Sequence, residues 1–154
     1  MNVKQKSIMF IATGCLVGNI PVAPGTFGSI LGLPLAFYLA EIGRQFAFVL
    51  TFLFVMFSIK IAQTAAEIMA AEDPGCIVID EIAGVAVTFF ALPFNLVNVI
   101  LGFVLFRAID IFKPYPIKLV EKKLPGGIGI VLDDVVAGIY SNMLLRAATY
   151  FYLH

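Results

Sequence analysis

The sequence predicts an all-α protein: a compact, multi-helix, membrane-embedded bundle in which some helices are short or re-entrant. Three observations carry this prediction. First, 61% of the 154 residues are hydrophobic and only 13% are charged, whereas a soluble domain carries about 25% charged residues. A soluble core of this size cannot hide so many apolar side chains, so much of the surface must face lipid; the mean hydropathy is +1.02. Second, apolar stretches at 8–20, 27–43, 45–70, 78–92, 94–112 and 130–153 are separated by proline and glycine. Third, the polar residues are not scattered but gathered in four places.

Each stretch is judged against the roughly 20 apolar residues that a membrane crossing needs. By that measure 45–70 and 130–153 span comfortably and 27–43 is borderline. The run 78–112 is too long for one span, and Pro93 with Asn95 breaks it into two helices short for a bilayer. The stretch 8–20 is shorter still and reads as re-entrant or interfacial. Lys4 and Lys6 before it give it some likeness to a signal peptide, but Pro21, Pro24 and Gly25 follow without a cleavage pattern, so the run is expected to be retained. The length suits a single domain, 1–154.

The polar gatherings are 24–29, Asp73 to Glu81, Arg107 to Lys123, and Gly126 to Asp134. Counting helix crossings from the first places all four on one membrane face. That face also holds Lys113, Lys118, Lys122 and Lys123, so the positive-inside rule makes it cytoplasmic.

Composition excludes several chemistries. Ten basic residues balance ten acidic ones, so no polyanionic partner is indicated and nucleic acid is not expected. The single histidine is His154, the last residue, which leaves no basis for a histidine triad, a histidine metal site or a phosphohistidine. Cys15 and Cys76 sit in apolar context and read as inert thiols. No Cys is followed by Arg five residues on, and no Asp-x-Asp motif occurs.

Two segments echo each other. Ile77-Val78-Ile79-Asp80-Glu81 is followed by Ala83-Gly84, and Ile130-Val131-Leu132-Asp133-Asp134 by Ala137-Gly138. Asp80 and Gly84, like Asp134 and Gly138, are four apart and share a helical face. Small residues there let two helices approach, so their carboxylates can converge on one ion. An unpaired buried carboxylate costs several kcal/mol, about the range for buried ions, and Arg107 alone cannot offset four of them. A hard divalent cation held by Asp80, Glu81, Asp133 and Asp134 fits best, and Mg²⁺ suits a site shared with phosphate oxygens. The competing reading has these acids capping helix starts and pairing with lysines.

Arg107, Asp110 and Lys113 fall three apart. Either Arg107 and Lys113 clamp a phosphate while Asp110 orients them or binds metal, or Arg107 and Lys113 are snorkelling cations at a helix end, with an intrahelical Asp–Arg pair. Thr26 and Ser29, at a Pro-Gly helix start, can hold phosphate oxygens, although Thr26 is also an ordinary N-cap. Gly127, within Gly126-Gly127-Ile128-Gly129, is open to the same two readings. Metal-assisted hydrolysis at phosphorus fits this set, with water or a carboxylate as nucleophile.

These residues lie in blocks by which the chain resembles the phosphatidylglycerophosphatase A family. The blocks are GNIPVAPGTFGS at 18–29, IVIDEIAG at 77–84, Ala91-Leu92-Pro93, GFVLFRAIDIFKPYPI at 102–117 and GGIGIVLDDVVAG at 126–138. The resemblance implies a mostly helical fold and Mg²⁺-dependent hydrolysis of phosphatidylglycerophosphate to phosphatidylglycerol and phosphate. It also implies a multi-pass protein of the bacterial inner membrane, with its active site on the cytoplasmic side. The family's acidic residues fall on Asp80, Glu81, Asp110, Asp133 and Asp134. A small cation or proton carrier is the main rival, since intramembrane acids mark ion paths. The acids here sit at helix ends beside Arg107 and Lys113, which suits an anion and hinders a cation path. A non-catalytic assembly module would leave five buried carboxylates unexplained, and nothing in the sequence specifies an oligomer.

Overall fold

The computed structural model describes residues 1–153, so His154 lies outside the described residues. Among them are seven α-helices, one 3-10 turn and no strand. Helix α1 (Val3–Ala12) is fixed at its start by a reciprocal pair: the Asn2 side chain accepts from the Gln5 N–H, and the Gln5 side chain accepts from the Asn2 N–H. Left-handed residues at Gly14, Cys15 and Leu16 end it, and a 3-10 turn at Val17–Asn19 leads on.

Helix α2 (Pro24–Glu41) opens on proline, whose fixed φ and missing N–H suit a first turn. Its cap is therefore Ala23 and not Thr26, which rules out capping as the role of Thr26. Helix α3 (Arg44–Met69) runs 26 residues, and its most apolar 18-residue window has a mean hydropathy of 2.0 and is only 22% buried. Phe46, Phe48, Phe52 and Met56 point outward from it.

Helices α4 (Ile79–Thr88) and α5 (Leu96–Phe112) divide the long apolar run near Pro93, as its breakers predict. Asn95 caps α5 by accepting from the Asn98 N–H at 2.9 Å. Ten residues make α4 about 15 Å long, roughly half of a hydrocarbon core. Its end is satisfied from a distance. The Asn142 amide donates to the carbonyls of Val87, Thr88 and Phe90, and Arg146 donates to those of Phe90 and Ala91. A cation at a helix C-terminus also complements its dipole.

Helix α6 (Ile117–Lys123) is a short helix within the polar gathering Arg107 to Lys123, where no helix was predicted. The burial of Ile117 anchors it. Helix α7 (Gly126–Leu153) starts four residues before the predicted 130. The reason is that Gly126 enters it from a left-handed turn and the Gly127 N–H is taken up by Gln63 of α3 at 2.6 Å. Among the described residues, α3 and α7 are the two helices long and apolar enough to cross a membrane.

The short α4 lies at the centre, packed against α2, α3, α5 and α7. It meets α7 where a Cβ on Gly138 would strike the Gly84 carbonyl and one on Gly84 would strike Phe106. The two echoing segments thus cross at their glycines, as the small-residue pattern predicts, and the crossing brings their carboxylates together.

Candidate metal and phosphate site

Asp80 and Glu81 occupy the first turn of α4, and Asp134 faces them from the third turn of α7. One carboxylate oxygen from each of the three lies within 4.8 Å of the others. Asp133 does not join them, because both of its carboxylate oxygens are engaged elsewhere. It turns to Lys113 instead, at 2.7 Å, while its other oxygen accepts from the Asp134 N–H. Asp110 of α5 reaches both Arg107 and the Asp134 carboxyl. Asp133 and Asp134 are two turns inside α7, so neither caps it.

Burial and the neighbouring Glu81 hold the Asp80 carboxyl well above its ordinary pKa, and burial likewise raises Glu81. Asp80 Oδ1 and Glu81 Oε2 are buried without a hydrogen-bond partner among the described residues. Such orphaned acceptors are costly. Three converging hard oxygen donors with unmet charge are what a divalent cation requires, so the residues fit one.

Arg107 shows the opposite need. One end of its guanidinium donates to Asp110 and to Ser29 Oγ, the latter at 3.4 Å, yet its Nε is buried without a partner. Ser29 is fully buried and donates its own proton to the Gly25 carbonyl, so it supports Arg107 and has no free donor for a ligand. Lys113, in a left-handed cap position after α5, bridges Asp133 and Glu121 at 2.7 and 2.9 Å. Partial burial works against its charge, but the two carboxylates outweigh this and hold its pKa above the ordinary lysine value.

The structure thus gathers Asp80, Glu81, Asp110, Asp134, Arg107 and Ser29, with Asp133 and Lys113 adjoining. Thr26 lies one residue beyond Gly25 in the first turn of α2. Gly127 is not brought in, since its N–H is committed to Gln63. Two neighbours escaped the sequence reading. Glu121, hidden among lysines, anchors Lys113. Gly25 stands where a Cβ would strike the Glu81 carboxylate and lie 3.2 Å from Arg107; its Pro-Gly setting was the available signal. Gly25→Ala is therefore expected to fold, because Glu81 can swing aside, while activity falls about tenfold or more from a displaced carboxylate. Circular dichroism beside a phosphate-release assay checks this, and undiminished turnover would show that the close approach is incidental.

The model of the phosphatidylglycerophosphatase A family matches residues 10–149. The chain belongs to the phosphatidylglycerophosphatase A family. That membership makes it an enzyme, a phosphoric monoester hydrolase. A phosphatidylglycerophosphatase A of Escherichia coli K12 is 35% identical over 136 residues, which cover 88% of this chain and 79% of that protein. One from Haemophilus influenzae is 36% identical over 148 residues, covering 95% and 91%. A Bacteroides thetaiotaomicron protein provisionally named a phosphatidylinositol-3-phosphatase is 35% identical over 147 residues, covering 91% and 92%. No solved structure matches. Within the phosphatidylglycerophosphatase A match fall all five acids and both cations of the gathered site.

Proposed function

We propose that this chain, acting as one domain, is a Mg²⁺-dependent lipid phosphatase that converts phosphatidylglycerophosphate to phosphatidylglycerol and phosphate. One observation carries the proposal most: orphaned carboxylate oxygens on Asp80 and Glu81 lie in the same buried site as an orphaned N–H on Arg107. A site that lacks partners of both signs is matched by a cation together with an oxyanion. The two relatives named for this activity supply the headgroup.

Asp80, Glu81 and Asp134 would hold the cation, with Asp133 beside them. When bound, it supplies positive charge to the transferring oxygens and makes a coordinated water more acidic. Arg107 binds the phosphate oxygens through Nε, held in orientation by Asp110 and Ser29. Hydrolysis breaks the bond between phosphorus and the glycerol oxygen, a water oxygen bonds to phosphorus, and the departing glycerol oxygen takes up a proton. Burial of the acids and of Arg107 Nε keeps bulk water from competing for the phosphate contacts.

The outward apolar side chains of α3, α2 and α5 support a multi-pass place in a bacterial inner membrane. Lys113, Lys118, Lys122 and Lys123, near the site, support a cytoplasmic active site. Phosphate release from purified protein tests the whole reading. Excess EDTA should abolish turnover and Mg²⁺ restore it; full turnover in chelator removes the cation. Phosphatidylinositol 3-phosphate should be the poorer substrate, and the reverse order would reassign the headgroup. Inside-out vesicles should be active without permeabilisation and right-side-out vesicles inactive; the opposite result would invert the topology.

A further inference from the structure

We propose that the seam between α2 and α5 holds the acyl chains of the lipid substrate and leads them to Arg107; this rests on the lipid-phosphatase reading above. Two contacts fix how the helices lie. Ser29, near the start of α2, meets Arg107, near the end of α5. Phe37, near the end of α2, meets Phe94, just before α5, with ring centroids 5.5 Å apart. The helices are therefore antiparallel and face each other along their length.

Helical periodicity then sets what lies between the two contacts. On α2, Ile30 and Leu33 share the side that carries Ser29 and Phe37. On α5, Ile100 and Phe103 lie seven and four residues before Arg107 and share its side. Ile30 is 46% exposed and Ile100 55% exposed. The seam is thus apolar and partly open, and its polar end is the guanidinium with the unpartnered Nε. A ligand that fills it needs an oxyanion at one end and hydrocarbon at the other, which describes a lipid phosphate.

The larger cavity does not compete for this role. A groove of about 880 Å³ between α3, α6 and α7 reaches the site only at Asp133. Its carboxylates, Glu67, Glu72, Asp73 and Glu121 beside Asp133, outnumber its two lysines. Such a wall repels an anionic lipid.

The test compares phosphatidylglycerophosphate with its water-soluble deacylated headgroup in detergent micelles. Ile30→Gln and Ile100→Gln should lower the ratio of kcat/KM for the lipid to that for the headgroup about tenfold. Phe52→Gln, on the outer face of α3, should shift the ratio less than twofold. Equal shifts in all three would overturn the seam. A second measurement needs no turnover: phosphatidic acid with a photoactivatable acyl chain should cross-link to α2 and α5 within the seam, displaced by excess phosphatidic acid and not by diacylglycerol. Labelling spread evenly over the outer face of α3 would overturn the proposal even if a variant failed to fold. Unaltered protein that hydrolyses neither substrate would refute the phosphatase reading, and the cross-linking pattern would still decide the seam.

Discussion

Asp80→Asn and Asp134→Asn are each expected to remove nearly all phosphatase activity, and the double variant to lose little more. Asn matches Asp in size and caps helices about as well, so a capping role predicts near-normal turnover. The observed arrangement predicts otherwise. The two side chains come from different helices, and their oxygens lie within 4.8 Å of each other and of Glu81. Removing an outer-shell partner of a metal ligand costs about 10–100-fold, so loss of a ligand itself should cost at least a hundredfold. Residues that act as one unit are not additive. Higher Mg²⁺ should restore part of the loss. Steady-state kinetics on the two single variants and the double variant decide the matter: losses that simply multiply would separate the two carboxylates into independent roles.

Arg107→Lys is expected to cost about ten- to a hundredfold in kcat/KM, the equivalent of one charge-assisted hydrogen bond of roughly 1.5–3 kcal/mol. The substitution keeps the charge. However, an ammonium cannot hold Asp110, lean on Ser29 and still present a planar donor to phosphate. Lys113→Ala provides the contrast. Lys113 is engaged by Asp133 and Glu121, so its removal strands the buried Asp133 carboxylate and should lower the melting temperature as well as activity. Arg107→Lys should leave the melting temperature within a few degrees of the unaltered protein. Kinetics and thermal melts in the same detergent separate the two, and a fully active Arg107→Lys would remove the guanidinium from phosphate binding.

How much of this was legible in the sequence depended on whether a signal was local. The break near Pro93, the length of α3 and the meeting of the two acidic segments at Gly84 and Gly138 follow from breakers, composition and four-residue spacing, all of which act within one helix. The start of α7 was misplaced because its Gly-rich first turn is stabilised by Gln63, 64 residues away. The same contact removes Gly127 from the phosphate site. Helix α6 was hidden because a seven-residue segment with four charges has little helix signal of its own and relies on the buried Ile117. Neither the divergence of Asp133 towards Lys113 nor the wedge-free space at Gly25 could be read from spacing, since each depends on what a different helix places opposite.

The far end of α4 bears on how the protein is made. The carbonyls of Val87, Thr88, Phe90 and Ala91 take their donors from Asn142 and Arg146, which a ribosome produces more than 50 residues later. Until α7 docks, the Thr88, Phe90 and Ala91 carbonyls lack these donors, while Val87 keeps the Phe90 N–H, and a buried carbonyl without a partner is costly. The helix that carries Asp80 and Glu81 therefore settles only when the last helix docks, and that same docking delivers Asp134. The donors that complete the end of α4 and the carboxylate that completes the acidic cluster thus come from one and the same helix.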